Sequence, residues 1–102
     1  MTPLFQETLK RHMVIFSDLP EKLKKFTAIK KDNPLTNRYG KHDGPFAHGS
    51  PLAGFWHCHL RDDAILIYNL KNRAINLVAI VAHAEIEGNR RKAVVKQISP
   101  YK

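Results

Sequence analysis

The chain is short of several things, and each shortage excludes something. It has one cysteine, Cys58, so no internal disulfide can form. No apolar run approaches the roughly 18–20 residues that a membrane helix needs. The opening stretch, MTPLFQETLKRH, has neither the basic start nor the apolar core of a secretory signal. Together these features predict a cytoplasmic protein. There is no internal repeat and no low-complexity tract. Acidic residues are scarce too: nine Asp and Glu stand against seventeen Lys and Arg, a net charge of +8 on 102 residues. A chain of that length builds one domain around one modest core. A domain this basic attracts polyanions, above all nucleic acid or an acidic protein.

The first third reads as a helical hairpin over residues 3–32. Thr2 followed by Pro3 is a helix start, a capping hydroxyl and then proline at the first helical position. Phe5, Leu9, Met13 and Phe16 follow at spacings of three and four, one stripe of a helix. Ser17 or Asp18 caps a second helix, with Pro20 in its first turn. Leu19, Leu23, Phe26 and Ile29 form its apolar stripe, and its lysines, Lys30 among them, fall mostly off that stripe. Asn33-Pro34 should end it.

Residues 33–53 form a long loop rich in Gly and Pro, and long loops inside compact domains are more often functional than idle. This one carries Arg38, Tyr39, Lys41, His42 and His48. Residues 54–83 then predict a three-stranded antiparallel meander, with turns at Arg61-Asp62-Asp63 and Lys71-Asn72-Arg73. Residues 85–102 form a basic tail with Ala93, Val94 and Ile98 as its apolar anchors. The expected class is α+β, two N-terminal helices packed on a small antiparallel sheet.

Five of the six histidines fall between positions 42 and 83. Side chains alternate along a strand, so Phe55, His57 and His59 share one face while Trp56, Cys58 and Leu60 share the other. The same rule gives Ile75, Leu77, Ala79, Val81 and His83 a common face on the last strand. Three readings of the cluster stand side by side. The histidines can be half-exposed strand residues with local hydrogen bonds. They can be metal ligands, His57, His59 and His83 holding zinc with one open position, though no cysteine pair or His–Glu helix motif accompanies them. They can be acids and bases for RNA cleavage, since imidazole titrates near neutral pH and neighbouring cations can hold the phosphate. On that third reading Lys41, His57, Arg61, Arg90, Arg91 and Lys92 are candidate RNA contacts. Asp63 can orient an imidazole or simply build its turn. Cys58 invites a nucleophile reading and Trp56 could stack on a base, but both share the face opposite the histidines, which favours core packing.

The order PLAGFWHCHLRDDAILIYNL, a turn, then INLVAIVAHAEI, resembles the RelE/ParE superfamily of bacterial toxins, and within it the YafQ-type mRNA interferases. The resemblance runs over roughly residues 3–87 and rests on Gly54, His59, Asp63, the strand Ile65-Leu66-Ile67-Tyr68 and the pair His83-Ala84. It implies catalytic roles for His59, Asp63 and His83, joined by His48 from the loop or by His42 in its place. It implies a metal-independent endoribonuclease without cofactor, cutting mRNA in the ribosomal A site, and an antitoxin as partner. Ala64 stands where the family has an aromatic residue, Ala79 where it has an arginine, and Glu87 where it has a second aromatic. The family's short first strand has no counterpart in a chain that begins helical. Two other classes remain open: a ParE-type toxin that acts on DNA gyrase without nuclease chemistry, and the histidine-based metal enzyme.

Overall fold

The computed structural model describes residues 1–31, 38–40 and 42–102. Helix α1 spans Pro3–Met13 and α2 spans Leu19–Lys30. Strands β1 (Gly44–Pro45), β2 (Trp56–Arg61), β3 (Ala64–Lys71) and β4 (Ala74–Val81) form one antiparallel sheet in chain order. The basic tail is not extended: it folds as short 3-10 turns around helix α3, Arg91–Ile98. The fold is therefore the expected α+β arrangement, with one more strand and one more helix than the sequence pattern predicts. The expected helix end at Asn33-Pro34 lies outside the described residues. No helix among the described residues is long and apolar enough to cross a membrane.

The helix starts follow the capping rules. Thr2 is extended, and its hydroxyl accepts from the Phe5 N–H at 2.9 Å, with Pro3 next in line. Asp18 precedes α2, but its carboxylate makes no cap bond; it pairs instead with Arg61 at 3.3 Å.

The sheet is covered on both faces. On one, Cys58, Leu60, Leu66, Tyr68 and Ile80 pack under Phe5, Leu19 and Phe26 of the N-terminal helices. On the other, Phe55, Ile65, Ile67 and Val81 pack under Val94 and Ile98 of α3. β3 lies between two strands and is buried from Ala64 to Asn69, which explains its nearly unbroken apolar run. Each fully buried Leu or Ile there contributes about 1.5–3 kcal/mol. Ala93 is exposed, so Val94 and Ile98 are the anchors of α3.

One expectation about faces is overturned. Ile67 pairs with Ala79 but Tyr68 pairs with Leu77, which leaves Val78 as an extra residue in β4. This bulge breaks the alternation: Ile75 and Leu77 pack with the cluster under α1 and α2, whereas Ala79 and Val81 pack under α3. The bulge is held from α1. Thr2 donates its N–H to the Leu77 carbonyl at 3.0 Å and its hydroxyl to the Val78 carbonyl at 2.7 Å. The Ile80 N–H donates to the Thr8 hydroxyl at 2.9 Å. The outer edge of β4 is thereby satisfied by a helix rather than left open to another strand.

Candidate functional site

His59 lies on β2, on the face it shares with His57 and Phe55, as alternation requires. Its neighbours come from two other elements. β1 pairs with β2 so that Gly44 faces His57 and Pro45 faces Trp56. The chain just before Gly44 carries His42 to His59, with ring centroids 5.3 Å apart. On the other side, β4 ends at Val81 and turns into a 3-10 helix, His83–Ile86. That turn sets the His83 ring 5.6 Å from the His59 ring. Three imidazoles thus stand in a row, His59 half-buried in the middle and His42 and His83 exposed at the ends.

Asp63 holds the end of this row through the backbone. Its Oδ1 accepts from the His83 N–H at 2.7 Å, fixing where the turn after β4 begins. Glu85 completes the same turn, its carboxylate accepting from the Ala82 N–H at 3.0 Å. The imidazole of His83 has its own carboxylate, Glu87, with Nε2 3.3 Å from Oε1. Glu87 is the residue that stands where an aromatic was expected.

The imidazoles act on one another. His59 titrates below the ordinary histidine value, first because of its burial, then because of His42 and His83; Asp62 opposes them. His57 is also lowered, chiefly by burial and next by His59. Its ring lies flat on Phe46, 4.3 Å between centroids and 18° between planes. Cys58 points to the opposite face and is 1% exposed; burial, with Asp43 nearby, pushes its thiol well up, so it is no nucleophile.

The other residues expected at the site fall as follows. His48 is exposed on the turn before Ser50, and no ring contact among the described residues joins it to the row; the alternative, His42, has its ring beside His59. Asp63 touches the backbone of His83, while the carboxylate whose charge acts on His59 is Asp62. Arg61 turns toward the helices, paired with Asp18 and lying 5.3 Å from the centroid of Phe16. Arg90 lines a cavity of about 250 Å³ between α1, β4 and α3. Arg91 and Lys92 border a groove with Pro51, Val95 and Lys96. Lys41 lies outside the described residues. Among the described residues, no three His, Cys, Asp or Glu side chains converge on a point where one metal ion would sit.

Sequence reasoning missed Lys30 and Asp43. Lys30 is not on the solvated face of α2: its side chain and that of Asp43 are 2% and 0% exposed, and they form an ion pair. No pattern of spacing signals it, because Asp43 arrives from a loop.

The fold is found among known proteins. The family described as the bacterial toxin of type II toxin–antitoxin systems, YafQ, matches residues 1–88. A crystal structure of YafQ from E. coli strain BL21(DE3) superposes with a TM-score of 0.67 at 24% identity, covering 85% of this chain and 93% of that one. That likeness concerns the fold. No curated protein matches the chain. With residues 1–88 matched by the family profile, the chain belongs to the YafQ family of bacterial type II toxin–antitoxin toxins.

Proposed function

We propose that this toxin is a metal-independent endoribonuclease that cuts mRNA on the ribosome, with histidines as its acid and base. The observation that carries the reading is the row His42, His59 and His83, at 5.3 and 5.6 Å, on a chain of net charge +8. Cleavage of RNA needs no metal. A base takes the proton of a ribose 2′-OH, and the oxygen attacks the adjacent phosphorus. An acid gives its proton to the departing 5′ oxygen. The products are a 2′,3′-cyclic phosphate and a 5′-OH.

His59 is the base in this scheme. Its lowered titration keeps the imidazole neutral and able to accept a proton at physiological pH. His83 is the acid; the Glu87 carboxylate forms an ion pair with it when it carries its proton. His42 lies on the far side of His59 and binds the phosphate or the ribose. Asp63 acts as a positioning residue through the His83 backbone. Arg91, Lys92 and Lys96 border a groove that suits the RNA backbone, which is held by charge rather than by sequence. The partner that restrains the toxin is an antitoxin protein, and the toxin acts in the cytoplasm.

The test is to add purified toxin to a translation reaction and map the transcript ends. Cut mRNA with cyclic-phosphate ends, in reactions where a chelator-treated toxin works as well as an untreated one, is the expected result. Intact mRNA together with inhibited DNA gyrase would replace this reading with that of a non-nuclease toxin.

A further inference from the structure

We infer that Asp43 is a positioning residue for the histidine row, a buried anchor that sets His42 against His59. The inference rests on the ribonuclease reading only for its catalytic consequence; the geometric part stands alone.

Asp43 is 2% exposed, in a segment that is otherwise largely at the surface. Its side chain meets three elements. Oδ1 accepts from the Tyr68 hydroxyl of β3. Oδ2 pairs with Lys30 at the end of α2 and accepts from the Tyr39 N–H at 2.9 Å. Its backbone is held as well: the carbonyl accepts from Arg38 at 2.8 Å, and the N–H donates to the Gly40 carbonyl at 3.2 Å. Lys30 lies 5.7 and 5.5 Å from the ring centroids of Phe26 and Tyr68, so the pair is walled by aromatic rings.

The chain connects this anchor to the site directly. Gly44 faces His57 across the β1–β2 ladder, Asp43 immediately precedes Gly44, and His42 precedes Asp43 in a turn. The Asp43 side chain goes to the face of Cys58 and Tyr68, under the N-terminal helices. The His42 ring lies beside His59. Beyond this point the segment is tied by β1 itself, by the Phe46 N–H to the Phe55 carbonyl at 3.0 Å, and by the stack of Phe46 on His57. A buried carboxylate with partners on both oxygens, one residue from His42, constrains where that imidazole sits.

The test uses paired changes, so that no lone charge is left in the core. Lys30→Met with Asp43→Ala removes the anchor; Lys30→Met with Asp43→Asn keeps a side chain that can still bond Tyr39 and Tyr68. The readout is the NMR titration of His59, with cleavage measured beside it. In the Ala pair, His59 should titrate higher than in the parent, because His42 no longer opposes its protonation. Cleavage should fall tens of times, up to about a hundredfold, the scale of a small misplacement in an active site. The Asn pair should return both toward the parent. Adding His42→Ala to the Ala pair should change little further, since both act through one contact. An unchanged His59 titration in a folded Ala pair overturns the inference. If the Ala pair does not fold, the Asn pair with Tyr68→Phe added removes both the cation and the hydroxyl from that side chain, and an unmoved His59 there overturns the inference equally. If His59 moves while the parent protein cuts no RNA, Asp43 is still the anchor and the ribonuclease reading alone fails.

Discussion

His42 and His59 set their rings 5.3 Å apart, one carried by the segment leading into a two-residue edge strand and the other by an inner strand of the sheet. Their contact makes a row out of residues that the chain keeps in three separate elements. His83 completes it from the turn after β4, held there by Asp63.

Acid should disarm the toxin and loosen it together. His59 titrates below about 6.5, the value of an unfolded chain. Between those two values the unfolded state binds more protons than the folded one. Stability is therefore fully present above about pH 6.5 and falls as the pH drops through that window. His57, also lowered, adds in the same direction. Cleavage should decline on an acid limb that lies below the ordinary histidine value. His42→Ala should move that limb upward, because His42 is the second cause of the shift. A limb that stays in place in His42→Ala would mean that the two rings do not interact in solution.

The buried ion pair gives a stability prediction. Lys30→Met alone leaves the Asp43 carboxylate in the core without its cation, a change that costs about 3–5 kcal/mol in comparable buried pairs. Replacing both partners together should cost markedly less. Urea denaturation of the single and paired variants checks this. A single variant within a few tenths of a kcal/mol of the parent would show that the pair is open to water.

Much of this was legible from the sequence, and the failures share a cause. The start of α1 is visible in Thr2-Pro3, and the two faces of β2 follow from alternation at Phe55 to Leu60. These features depend on neighbours in the chain. The bulge at Val78 depends on Thr2 reaching across to β4, and the burial of Lys30 depends on Asp43 arriving from a loop. Between His48 and His42 the sequence left the choice open, because β1 is only two residues long and carries no strand pattern. Helix α3 was hidden by its charge and shortness, with only Val94 and Ile98 of its eight residues buried.

RNA binding should weaken steeply with salt, since lysine and arginine release counterions from phosphates. Charge reversal at Arg91 and Lys92, which border the α3 groove, should flatten the dependence of log Kd on log salt by about one unit for each phosphate no longer neutralised. Reversal at Arg61, which is occupied with Asp18, should flatten it less. Equal slopes in the parent and both variants would place the RNA elsewhere.

The most direct measurement of the central claim is cleavage of one defined mRNA by the parent, His59→Ala, His83→Ala and His57→Ala, with thermal melting of each. Loss of a general acid or base costs about a hundredfold or more, and that is the expected fall for His59→Ala and His83→Ala. Both should melt near the parent, because His59 is only half-buried and His83 is exposed. His57→Ala should cost less, since its ring lies on Phe46 rather than in the row. The parent's products should carry 2′,3′-cyclic phosphate ends. Parent-like cleavage by folded His59→Ala and His83→Ala would contradict the account.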